Sequence, residues 1–102
     1  MDIQKLMKQA KEMQNSLARI EDELNATEYI GNSGGAEGVF VTINGKNEVV
    51  EVRIADELMT ADNREMLQDL ILLATNEAVE KARVEREEKI GSAAGGFGLP
   101  GM

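Results

Sequence analysis

The chain has 102 residues, no cysteine, no histidine and a formal net charge of −8. This excludes disulfides, the usual zinc ligand sets, thiol nucleophiles and the commonest general base. Acidity of this size also runs against the basic footprint of most nucleic-acid binders, and the length bounds the chain to one domain with a modest core, a size at which domains often borrow core from a partner.

The first predicted element is the clearest. Ile3, Leu6, Ala10, Met13, Leu17, Ile20 and Leu24 recur at alternating spacings of 3 and 4, an unbroken heptad seam. Asp2 is a plausible N-cap, and a helix from Asp2 to Ala26 would run roughly 37 Å at about 1.5 Å per residue. A compact domain of this size spans only about 26 Å. The helix should therefore project, with its seam covered by another helix.

A β segment follows. Thr27 to Asn32 is a short strand broken by Gly34-Gly35. Val39 to Ile43 is β-branched and alternating, Asn44-Gly45-Lys46-Asn47 is a turn, and Val49 to Ile54 is a third strand. With Gly45-Lys46 at the centre of the turn, Val41 opposes Val50 and Val39 opposes Val52. One hairpin face then carries Val39, Val41, Ile43, Val50, Val52 and Ile54. The other carries Phe40, Thr42, Val49, Glu51 and Arg53. That second face is half apolar, which suits a partly buried interface between copies of the chain, with Phe40 and Val49 as its candidates.

A helical turn near Asp56-Glu57-Leu58-Met59 precedes the last helix. Asp62 is its expected cap and Glu65 completes most of a capping box. Leu67, Leu70, Ile71, Ala74, Ala78 and Ala82 form its apolar stripe. The helix should run to about Ile90 and stop at Gly91. The expected fold is thus α+β: long helix, three-stranded antiparallel sheet, long helix. Residues 1–90 form one domain and residues 91–102 a flexible glycine-rich tail. A meander body sends both helices out in one direction, antiparallel, as arms.

Within that tail, Gly-Phe-Gly-Leu-Pro-Gly at 96–101 fits the G-x-G-x-x-G phosphate signature. The signature needs a strand before it and a helix after it, and here neither is present. The segment reads instead as a tether carrying Phe97 and Leu99. Asn25-Ala26-Thr27 matches a glycosylation sequon by chance. No apolar run resembles a signal peptide or a membrane span, so the cytoplasm is the expected compartment, with no membrane partner.

Charge is unevenly placed. Residues 1–19 net +2, residues 78–90 net zero and residues 20–77 net −10. Paired arms would therefore have neutral to mildly basic tips on an acidic body. Such tips can touch DNA phosphates. The same residues also read as solvated faces with i, i+4 pairs such as Lys81–Glu85 and Glu85–Lys89. Tyr29, Phe40 and Phe97 are the three aromatics, too few for a base-stacking platform. Asp56, Glu57 and Asp62 lack both metal-loop spacing and an adjacent base or nucleophile. The expectation is no enzyme: no catalytic residue, metal, cofactor or small-molecule substrate.

The stretches LMKQAKEMQNSLARIEDEL (6–24), GVFVTINGKNEVVEVRI (38–54), DNREMLQDLILLATNEAVEKA (62–82) and the closing GFGLPGM together resemble the bacterial YbaB/EbfC nucleoid-associated proteins. The resemblance covers nearly the whole chain in the same element order. It implies a cytoplasmic, nucleoid-associated protein that binds duplex DNA as a tweezer-shaped homodimer and influences gene expression or chromosome organisation, with no known catalytic residue or cofactor. Carried onto the arms, it makes Lys5, Lys8, Lys11, Arg83, Arg86 and Lys89 the candidate DNA contacts. The alternative is a dimeric interaction module whose arms clasp a protein, supported by the acidic body and the adaptable Met7 and Met13.

Overall fold

The computed structural model describes residues 2–96. Helix α1 (Ile3–Ala26) leads into strands β1 (Glu28–Ser33), β2 (Val39–Asn44) and β3 (Val49–Ile54), and helix α2 (Arg64–Gly96) closes the order. Short 3₁₀ turns at Gly35–Glu37, Asp56–Leu58 and Ala61–Asn63 connect them. The helix, three-stranded antiparallel sheet and helix are those expected from the sequence.

Asp2 caps α1: its carboxylate accepts from the amides of Gln4 at 3.0 Å and Lys5 at 3.3 Å, satisfying donors that a helix start leaves open. At the other end Thr27 turns extended, and its hydroxyl donates to the Glu23 carbonyl at 2.7 Å. The cap expected at Asp62 is replaced by a different entry. Asp62 lies inside a 3₁₀ turn, and α2 begins only at Arg64.

The strands pair in the order β1-β2-β3. Val41 faces Val52 and Val39 faces Ile54, two residues further along than the tight-turn register. A register irregularity between Thr42 and Ile43 accounts for part of this shift. The turn itself accounts for the rest. Asn47 sits at φ 63°, a left-handed position that asparagine tolerates. The Asn44 side-chain oxygen accepts from the amides of Lys46 and Glu48 at 2.9 and 3.1 Å.

Helix α2 crosses β1 and β2. Ala74, Ala78 and Ala82 bury against Tyr29, Val39, Val41, Ile43 and Leu58. Small residues are needed because the backbones nearly touch: a Cβ on Gly31 would stand 1.9 Å from the Ala74 carbonyl oxygen. The open edge of β1 is tied to the same helix. The Asn32 amide donates to Glu77 Oε1 at 3.2 Å, and Lys81 Nζ donates to the Ile30 carbonyl at 2.7 Å. β3 lies beyond the helix, and Val49, Val50 and Val52 remain exposed.

Helix α2 does not stop at Gly91; it runs through to Gly96. Glycine inside a helix costs only about 1 kcal/mol against alanine, and Ala94, beyond it, is buried. The 33 residues of α2 span about 50 Å. Its first half roofs the sheet and its second half pairs with α1. The described chain is 71 Å long with a radius of gyration of 19.7 Å, against about 13 Å for a compact chain of this size. The helices project as expected.

Candidate nucleic-acid interface

The α1 seam is covered progressively. Leu24 is buried, Ile20, Leu17 and Met13 are half-buried, and Ala10, Leu6 and Ile3 are exposed. The coverage runs out where α2 ends, because the two helices are antiparallel with Arg86 of α2 beside Glu21 and Asn25 of α1. Among the described residues, the first turns of α1 thus reach beyond α2.

The six candidate DNA contacts divide into two groups. Lys5, Lys8 and Lys11 stand on the free part of α1, exposed, and no salt bridge among the described residues reaches them. Spacings of three put them along one flank of the helix.

The other three are engaged. Arg83 is forked between Glu80 and Glu87, its Nη1 lying 2.7 Å from Glu87 Oε1. The two carboxylates raise the guanidinium further above its ordinary value, and Arg83 in turn holds Glu80 below the usual carboxylate range. Lys89 pairs with Glu85 at 3.5 Å. Arg86 donates to Glu21 Oε1, to Asn25 Oδ1 at 3.1 Å and to the Gly45 carbonyl at 3.0 Å. Its partners lie 41 to 65 residues away, which is why no local charge pattern revealed them. Of the two anticipated i, i+4 pairs, Glu85–Lys89 forms, whereas Lys81 pairs with Glu77.

The two candidate dimer residues do not share a face. Phe40 is half-buried, with the Arg53 guanidinium 5.1 Å from its ring centroid. Val49 is paired with Ile43. Directly paired residues point to one side of a sheet, so Val49 lies on the α2 side and Phe40 on the other. The exposed apolar residues of the body include Val49, Val50 and Val52 of β3, Leu72 and Leu73 of α2, and Ile30, Met59 and Met66.

Tyr29 was not anticipated as part of any site. It is buried, and its hydroxyl has no hydrogen-bond partner among the described residues. Burial first, and the Glu85 carboxylate second, push the phenol above its ordinary value. Among the described residues no group of His, Cys, Asp or Glu side chains is arranged to hold a metal ion, and no helix is long and apolar enough to cross a membrane. Apart from Gly96, the Gly-Phe-Gly-Leu-Pro-Gly segment lies outside the described residues.

Comparison with known proteins places these features in a group. A nucleoid-associated protein of Desulfotalea psychrophila is 41% identical over 102 residues, covering 100% of this chain and 95% of that one. One from Anaeromyxobacter is 39% identical over 102 residues, covering 100% and 98%. The crystal structure of an uncharacterized Helicobacter pylori protein superposes with a TM-score of 0.70 at 26% identity, covering 86% of this chain and 91% of that one. Residues 1–97 match the YbaB/EbfC DNA-binding family, and with its helix, three-stranded sheet and helix the chain belongs to that family.

Proposed function

We propose that this protein is a nucleoid-associated protein that binds duplex DNA as a tweezer-like homodimer, so influencing chromosome organisation or gene expression. The observation that carries the reading is the row Lys5, Lys8 and Lys11 on the uncovered end of α1, unpaired among the described residues, in a member of a DNA-binding family. An acidic body repels phosphate, and three unpaired lysines held away from it on an arm attract it. The relatives named as nucleoid-associated proteins support the same assignment and a nucleoid location.

The homodimer rests on the apolar surface left open along β3 and α2. Burying Val50, Val52 or Leu72 in a partner is worth about 1.5–3 kcal/mol each. Sedimentation at micromolar concentration should give twice the chain mass, and Val50→Asp with Val52→Asp should give monomers. Phe40→Asp should do so only if the opposite sheet face also contributes. A clean wild-type monomer would remove the dimer from this reading.

The test of DNA binding is titration of labelled duplex at two salt concentrations. Binding should weaken steeply with salt through counterion release. Exposed Ile3, Leu6 and Met7 on the same arm favour a second reading, in which the arms clasp a protein. Salt-insensitive capture of a protein, with no DNA retardation at low salt, would establish it instead.

A further inference from the structure

Arg86 is one of the candidate phosphate contacts, yet the end of its guanidinium is already engaged with three acceptors. Both Nη2 hydrogens are directed at acceptors, Asn25 Oδ1 at 3.1 Å and the Gly45 carbonyl at 3.0 Å, and Nη1 donates to Glu21 Oε1. The side chain is about one-third exposed. It joins α2, the last turns of α1 and the β2–β3 turn, and a planar fork satisfies such a set of acceptors where a lysine ammonium does not.

The location gives this junction leverage. The C-terminal end of α1 rests on the turn so closely that a Cβ on Gly45 would stand 1.8 Å from the Leu24 carbonyl oxygen. The turn is itself stiffened by Asn44, whose side chain accepts from two amides and donates to Glu48 at 2.8 Å. Above this point, among the described residues, α1 is held by a seam that thins toward the tip, with Leu24 as its one buried residue. From Asn25 to Ile3 the lever is about 33 Å, so a tilt of about 10° at the base moves the tip by about 6 Å.

We propose that Arg86 is a positioning residue: a latch that sets the direction of the α1 arm relative to the body, and through it the placement of Lys5, Lys8 and Lys11. The last clause rests on the DNA-binding reading; the latch itself does not.

The absence of cysteine makes the test direct. Spin labels at Gln9→Cys on the arm and Glu51→Cys on the sheet, in full-length protein diluted with unlabelled chain, report the arm-to-body distance by pulsed electron resonance. The expected result is one narrow distribution for the parent, a clearly broadened or shifted one for Arg86→Gln, and only partial restoration by Arg86→Lys. An unchanged distribution in Arg86→Gln overturns the latch. Should Arg86→Gln not fold, Glu21→Gln combined with Asn25→Ala removes the α1 side of the latch and must broaden the distribution in the same way.

DNA titration supplies the second readout. Arg86→Gln should lower affinity in the parent but cause no further loss of affinity or salt slope once Lys5, Lys8 and Lys11 are replaced by Gln. A slope shallower by about a further 0.9 in that triple-variant background marks a phosphate contact made by Arg86 itself, and that outcome overturns the positioning role in favour of direct contact. Absence of DNA binding in the parent defeats the proposed function, and the spin-label distances still decide the latch.

Discussion

Gly31 of β1 lies directly beneath Ala74 of α2, so close that an added Cβ would be 1.9 Å from the Ala74 carbonyl oxygen and 2.6 Å from the Ala78 amide nitrogen. Both obstacles are helix backbone, which no rotamer change relieves. Gly31→Ala should therefore cost about 3 kcal/mol or more, at the upper end of overpacking penalties. Gly91, also glycine, has open space around its Cβ position. Gly91→Ala should stabilise by about 0.5–1 kcal/mol through helix propensity. Urea unfolding of the two variants checks both signs.

Acid should weaken the seam between α2 and β1. The Asn32 amide first, and Lys81 second, hold the Glu77 carboxyl below its ordinary value of 4.5. A lowered folded-state value stabilises the fold above the ordinary value, and that contribution is lost as pH falls from 4.5 through the folded value. Thermal midpoints should decline over that window, and Glu77→Gln should make the decline shallower. An identical pH profile in the variant would show that Glu77 contributes nothing to it.

The buried Tyr29 hydroxyl lacks a hydrogen-bond partner among the described residues, and an unsatisfied buried polar group costs stability. Tyr29→Phe should raise stability by about 1 kcal/mol, measured by denaturant unfolding. It should also delay alkaline unfolding. With the phenol raised from its ordinary value of 10.0, the parent loses stability as pH climbs from there through the folded value.

The two groups of basic residues should separate in DNA titrations. Replacing Lys5, Lys8 and Lys11 together by Gln should flatten the salt slope by up to about 0.9 for each lost phosphate contact. Lys46→Gln with Arg53→Gln, on the body, should change it far less. Arg83→Gln should also leave the slope nearly unchanged, because Glu80 and Glu87 already occupy that guanidinium. Loss of binding in the body variant with retention in the tip variant would contradict the arm assignment.

Ala94 is buried although it lies beyond Gly91. Ala94→Glu should destabilise by about 1–3 kcal/mol, as expected when a charge is forced into packed surface. A chain ending at residue 91 should likewise melt below the full-length protein. Equal melting temperatures would mean that the far end of the arm packs without energetic consequence.

The elements were legible in the sequence wherever a single residue pattern dominates. The heptad seam marks α1, and the β-branched runs mark β2 and β3, whose bounds are Val39–Asn44 and Val49–Ile54. The hairpin register was not legible, because an irregularity at Thr42/Ile43 leaves no mark on alternation alone. The end of α2 is not legible, because Gly91 carries the local signal of a helix stop while the burial of Ala94 beyond it depends on the fold. The site divides the same way. The place of Lys5, Lys8 and Lys11 on a projecting helix follows from the heptad seam alone. The engagement of Arg86 depends on Glu21 and Gly45, residues distant in sequence that only the fold brings to it.

Because α2 is one unbroken helix from Arg64 to Gly96, the stretch that roofs the sheet and the stretch that forms half the arm are a single mechanical member. A force prising the arm outward is not absorbed at a joint. It is transmitted along the rod to Ala74 and Ala78, which are fully buried against β1 and β2. The stiffness of the α2 half of the arm is then set by the cohesion of the body, and a mutation deep in the sheet can soften it.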